Sequence, residues 1–186
     1  MNVFVLCTGR CGSMTFAKAC SHFTNYTAGH ESRSDHLRFG RVAFPKNHIE
    51  VDLRLAFYTG LLERFHGRQA FYVHLIRDRH AVAASYLRKW QDKRRRVAGL
   101  VAAWRGLMRN PADRDVPLMI EDMIAVINGN IWQFLRDKPH LAMDIEDAPR
   151  LFPLFARHIG AEGDMEAALA EFAIRHNAYK EKLKCA

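Results

Sequence analysis

No apolar run in this chain approaches the roughly 20 residues needed to span a bilayer, and its N-terminus lacks the basic stretch that opens a secretory leader. A soluble, cytoplasmic protein is the expectation. Cysteine is scarce: Cys7, Cys11, Cys20 and Cys185 form no Cys-x-x-Cys pair and have no companion histidine cluster. A disulfide framework and a zinc site are thereby disfavoured, and a reducing compartment fits. Acidic residues are outnumbered, 20 against 28 Lys and Arg, for a net charge of +8. The partner is expected to be anionic, whether nucleotide, acidic glycan or nucleic acid. Internal repeats, low-complexity tracts and interdomain linkers are missing, so residues 1–186 are expected to form one domain, long enough to bury a core.

What is present begins at the N-terminus. Val3-Phe4-Val5-Leu6-Cys7 reads as a strand, Thr8-Gly9-Arg10-Cys11-Gly12-Ser13-Met14-Thr15 as a loop, and Phe16-Ala17-Lys18-Ala19-Cys20 as a helix. Two glycines three apart permit a sharp turn whose amides converge on an anion at the helix N-terminus. Arg10 adds a fixed charge, and Ser13 and Thr15 add hydroxyls. The chemistry suits phosphate or sulfate; the plainer alternative is a strand–turn–helix junction with glycines for geometry only. Cys11, flanked by arginine and amides, has the setting of a low-pKa thiol, or else replaces a serine sterically. The Gly-Lys-Ser/Thr of a nucleotide-triphosphatase loop is absent, because Ser13 follows Gly12 directly.

A second stretch repeats the pattern. Ala70-Phe71-Tyr72-Val73-His74-Leu75-Ile76 reads as a buried strand, Arg77-Asp78-Arg79 ends it, and Ala81-Val82-Ala83-Ala84-Ser85-Tyr86-Leu87 continues as helix. Arg77 and Ser85, eight residues apart, are placed to grip one phosphate from two sides, or else to serve as an ion-pair member and a packing residue.

Together these segments resemble the sulfotransferases. Arg10-Cys11-Gly12-Ser13-Met14 resembles their 5′-phosphosulfate loop, Arg/Lys-Ser-Gly-Thr-Thr, with Cys11 and Met14 as departures. Arg77, Asp78 and Ser85 resemble their 3′-phosphate motif, with Arg79 where proline is frequent. Gly29-His30-Glu31-Ser32-Arg33 resembles the Gly-Glu-Glu-Thr-Arg stretch of protein-tyrosine sulfotransferases, whose second glutamate is the catalytic base. The resemblance implies an α/β, P-loop NTPase-like parallel sheet flanked by helices. It implies 3′-phosphoadenosine 5′-phosphosulfate (PAPS) as cofactor without a metal, held by Arg10, Cys11, Gly12, Ser13, Met14, Thr15, Arg77 and Ser85. Glu31 is the expected base, with Arg10 stabilising charge and His30 and His48 in reserve; His48 also reads as a surface histidine. The chain looks like a soluble bacterial relative, closer to Golgi and tyrosylprotein types than to the steroid and phenol enzymes, whose Arg-Lys-Gly signature it lacks. The acceptor is left open among glycan, protein tyrosine and small metabolite; nucleic acid is not expected. A kinase-like phosphotransferase and a non-catalytic anion binder remain as alternatives.

Elsewhere the reading is coarser. Asn47 to Asp52 is expected just ahead of an amphipathic helix carrying Leu55, Tyr58, Leu62 and Phe65, with Glu50 or Asp52 as its cap. Lys89 and Lys93 to Arg96 form a basic run, either a solvated helix end or a cover over the anionic cofactor. Asn110 to Pro117 reads as loop and Leu118 to Leu135 as a helix with Met119, Met123, Val126 and Ile127 inward. Leu141 to Asp147 reads as a strand, with Glu146 and Asp147 capping the helix that follows. The last helix is expected from Met165 to Lys184.

Overall fold

The computed structural model describes residues 1–92, 99–174 and 176. Five strands lie in one sheet: β1 (Val3–Cys7), β2 (Thr27–His30), β3 (His48–Val51), β4 (Phe71–Ile76) and β5 (His140–Asp144). Their order is β2-β3-β1-β4-β5 and every pairing is parallel. Helices cover both faces, so the sheet is α/β with the sandwiched character that the apolar runs of β1 and β4 require. Val3, Val5, Cys7, Phe71, Val73 and Leu75 face one layer, formed by α1 (Ser13–Cys20), α6 (Ala148–Ile159) and α7 (Met165–Ala170). Phe4, Leu6 and Tyr72 face the other, which contains α2 (Thr59–Phe65), α3 (Arg79–Gln91), α4 (Gly99–Leu107) and α5 (Val116–Leu135).

From β1 the chain moves out to β2 and β3 on one side, then crosses to β4 and β5 on the other. That reversal opens a crevice beyond the C-terminal end of β1, where open parallel sheets bind ligands.

Several elements differ from the sequence reading. Asn47 to Asp52 is not a pre-helical linker: its centre is the strand β3, buried throughout. Its polar residues are satisfied by one another. Glu50 Oε1 and Oε2 accept from Ser32 N and Oγ at 2.7 and 2.6 Å, and His48 Nε2 lies 2.9 Å from Oε2. Asp52 does cap, accepting from Arg54 N at 2.7 Å, and also pairs with the buried Arg41. The helix expected to carry Leu55 through Phe65 is two pieces, a 3-10 turn Leu53–Phe57 and α2, broken at Tyr58. In α5 the inward stripe runs through Met119, Ile120, Met123, Ile124 and Ile127, and Val126 points outward. Strand β5 stops at Asp144. Asp147 sits at the α6 N-cap without a side-chain bond. The closing helix ends early: α7 passes into a 3-10 turn, Glu171–Ala173, and Ile174 is extended. The rest of that expected helix, except His176, lies outside the described residues, as do Lys93 to Arg96. Helix α4 had no counterpart in the sequence reading.

Candidate functional site

The loop after β1 is set by left-handed backbone. Gly9, Arg10 and Gly12 have φ of 76°, 57° and 83°. Glycine is required at two of these positions by crowding as well as by torsion. A Cβ on Gly9 would stand 2.6 Å from Tyr86 Oη, and one on Gly12 would stand 2.5 Å from Ile145 Cγ1. Gly12 is the N-cap of α1 and offers no side chain to its first turn. The Ser13, Met14 and Thr15 amides therefore start the helix without intrahelical acceptors, the usual cradle for an anion.

Around this turn, Arg10, Gly12, Ser13, Met14, Thr15, His30, Glu31, Arg77 and Ser85 all line one cleft of about 1590 Å³. The two motif segments touch directly. Arg10 Nε donates to Ser85 Oγ at 3.0 Å, and Arg77 Nη1 donates to Arg10 O at 3.2 Å. Tyr86 Oη adds a 2.6 Å bond to Thr8 O, and Asp78 caps α3 by accepting from Ala81 N at 2.8 Å. Burial, with Arg77 and Arg88 nearby, lowers the pKa of Arg10 from its ordinary value. The cations thus converge at the junction of the two segments.

On the other flank, β2 delivers His30 and Glu31. His30 Nε2 lies 3.1 Å from Ser13 Oγ, tying the end of β2 to the loop. Glu31 takes φ of 54°, a rare conformation for a residue with a side chain, and its carboxylate pairs with Arg54 at 2.5 Å. Strained backbone of this kind clusters at functional sites.

Two expected site residues are not brought to the cleft. His48 is buried at the start of β3, stacked on Phe44, with Thr27 Oγ1 2.8 Å from Nδ1 and Glu50 occupying Nε2. Both ring nitrogens are engaged at the N-terminal ends of the strands, so it is neither a surface histidine nor a reserve base. The Cys11 side chain is fully buried against Cys7 and contributes to the loop only through backbone. A hydrogen bond from Cys7 lowers its pKa against the opposing effect of burial, with help from the amides of the turn. Its electrostatics match the low-pKa reading; its burial removes it from reagents in solvent.

Sequence reasoning missed Arg54, Arg88 and the α4 face, all of which line the cleft. Arg88 carried a usable signal, being one helical step beyond Ser85. Glu146, expected as a helix cap, also faces the cleft. Among the described residues no group of three or more His, Cys, Asp or Glu could hold a metal ion, and no helix is long and apolar enough to cross a membrane.

No protein-family model and no curated protein matches the chain. Among solved structures, it is similar to the sulfotransferase domain from the curacin biosynthetic pathway, with a TM-score of 0.65 and 13% identity, over 89% of this chain and 75% of that one. The fold is sulfotransferase-like. The sulfotransferase from Alicyclobacillus acidocaldarius is similar too, with a TM-score of 0.56 and 14% identity, over 88% and 84% of the two chains. In this sulfotransferase-like fold, the loop after β1 and the turn after β4 occupy neighbouring strand ends around the crevice.

Proposed function

We propose that the protein is a PAPS-dependent sulfotransferase acting on an acceptor hydroxyl or amine. The observation that carries this reading is the contact between the two motif segments: Arg10 bonded to Ser85, with Arg77 bonded to the Arg10 carbonyl, inside one cleft. A nucleotide carrying phosphates at both ends of its ribose needs two anion sites at a fixed separation, and the two strand ends would supply them.

The donor set fits the cofactor. Amides of Ser13, Met14 and Thr15, with Arg10, would hold the 5′-phosphosulfate; Arg77 and Ser85 would hold the 3′-phosphate. Cys11 would take part through its amide only. When bound, the cofactor supplies the sulfuryl group for an in-line displacement, in which positioning and charge stabilisation carry most of the rate, as in phosphoryl transfer. Arg10 and the helix amides stabilise the negative charge that develops between acceptor and leaving phosphate. Glu31 takes the acceptor proton, and Arg54, paired with it, aims that carboxylate. His30, through Ser13, orients the loop or accepts the proton instead.

Calorimetric titration without magnesium tests the reading, using 3′-phosphoadenosine 5′-phosphate against 5′-AMP and ATP. Tight binding of the bisphosphate alone is expected. Equal affinity for 5′-AMP would leave Arg77 and Ser85 without a recognition role and overturn the assignment. Magnesium-dependent ATP binding would favour a kinase-like transferase.

A further inference from the structure

We infer that the acceptor is a small alcohol or phenol with an apolar body, bound between α4 and the 3-10 turn Leu53–Phe57; this rests on the sulfuryl-transfer reading. The cleft exceeds what one ligand fills: at about 1590 Å³ it is larger than the roughly 300–1,000 Å³ of ordinary small-molecule sites. Space remains beside a nucleotide, and its walls are chemically divided.

The cations that line the cleft on the β1 loop, after β4 and on α3 are Arg10, Arg77, Arg88 and Lys89. Facing them, α4 presents Leu100, Ala103, Trp104 and Leu107, an i, i+3, i+4, i+7 stripe without a charge. The arginine in α4, Arg105, is directed elsewhere, donating to Pro111 O at 2.9 Å and pairing with Asp113 at 2.7 Å. Leu53, Phe57 and Tyr58 add apolar lining from the 3-10 turn and its end, with Arg54 the cation among them.

That surface has no sufficient cover within the described residues. Leu107 is 71% exposed and Phe57 50% exposed; in α4 Ala103 is exposed as well and Leu100 and Trp104 are half-buried, with Val101 alone buried. Apolar area of this kind gains from removing a ligand's hydrocarbon from water, whereas an anionic glycan would lose hydration against it and find no cation on α4 in return. Glu31 and Arg54 stand on the same 3-10 side of the cleft, so a hydroxyl projecting from an apolar body reaches the proposed base while the body rests on the wall. A sulfuryl group then moves to the acceptor oxygen, the bond to the phosphate oxygen breaks, and the hydroxyl proton passes to Glu31.

The test uses the full chain saturated with 3′-phosphoadenosine 5′-phosphate, titrated calorimetrically with 2-naphthol, a glucuronate-containing disaccharide and a short tyrosine peptide. Wild-type protein should prefer 2-naphthol. Leu107→Asp, at an exposed position that does not threaten folding, should weaken naphthol roughly tenfold, as expected for losing one apolar contact, while the bisphosphate binds as before. Preference for the disaccharide or the peptide, or naphthol affinity indifferent to Leu107→Asp, would overturn the acceptor class and leave the cofactor reading standing. Failure of the bisphosphate itself to bind would overturn the cofactor reading and the acceptor with it.

Discussion

Arg10 Nε and Ser85 Oγ are 3.0 Å apart, a hydrogen bond between the loop after β1 and the second turn of α3 that spans 75 positions of sequence. Each residue sits in a separately recognisable segment, and the bond joins the two segments inside one cleft. Arg77, bonded to the Arg10 carbonyl, closes the same junction from the end of β4.

Replacing Arg77 by alanine should therefore cost the bisphosphate nucleotide its charge-assisted partner. A loss of about 1.5–3 kcal/mol, or about 10- to 150-fold in affinity, is expected for such a bond. Calorimetry should show the preference for 3′-phosphoadenosine 5′-phosphate over 5′-AMP disappearing. A retained preference would move 3′-phosphate recognition to Arg88 or Lys89.

Glu31→Gln should lower turnover by about 10²- to 10⁴-fold, the usual range for a general base, and spare bisphosphate binding. Single-turnover kinetics and calorimetry on the same preparation separate the two effects. Full turnover would transfer the base role to His30, the other β2 side chain in the cleft.

How much of this was legible in the sequence follows from how local each feature is. The glycine spacing of the β1 loop and the strand–Arg–helix order around Arg77 are short-range signals, and both segments lie where they were expected. The pairing of Glu31 with Arg54 joins residues on different strand ends and has no local signature. His48, Ile49, Glu50, Val51 and Asp52 alternate polar and apolar residues, which normally means one wet face. Here the polar set is buried because His48, Glu50 and Ser32 bond to one another, and Asp52 pairs with Arg41. Helix α4 carries a legible signal, apolar residues at i, i+3, i+4 and i+7, but it is short, has glycine at two of its nine positions and follows a basic run that drew the reading.

Gly12→Ala should destabilise the fold and disturb the loop together. The left-handed φ and the 2.5 Å approach to Ile145 Cγ1 both penalise a methyl group, at a combined cost of about 1–3 kcal/mol. Pairing it with Ile145→Ala should relieve the steric part while keeping the torsional part. Urea midpoints of the single and double variants measure the division; equal midpoints for Gly12→Ala and wild type would mean that the loop can relax away from Ile145.

Cys11→Ser should leave bisphosphate affinity unchanged, because the side chain does not face the cleft, and should cost about 1 kcal/mol or more for a buried hydroxyl. A thiol reagent should modify Cys11 only on unfolding. Labelling of Cys11 in the folded protein would show that the loop opens.

Acid should weaken the protein partly through Glu50. Burial acts to raise its pKa, yet the hydrogen bonds from His48 and Ser32 win and hold it below the ordinary 4.5. A depressed carboxylate contributes stability that is fully present above the unfolded-state pKa and is lost as pH falls through the lower, folded-state value. Urea midpoints should drop as the pH goes down from about 4.5, and Glu50→Gln should flatten that slope while lowering stability at neutral pH. An unchanged slope in the variant would assign the acid sensitivity to other carboxylates.

Tyr86 gives the site a property that neither motif has alone. Its hydroxyl is bonded to the Thr8 carbonyl at 2.6 Å and leaves no room for a Cβ on Gly9, so α3 grips the β1 loop through the loop's own backbone. The interval between the β1 loop and α3 is consequently fixed by direct contact. If the two segments hold the two ends of one bisphosphate, as proposed, that interval acts as a gauge and selectivity becomes a matter of length: one anionic group, or two at the wrong spacing, would engage only half of the positive charge.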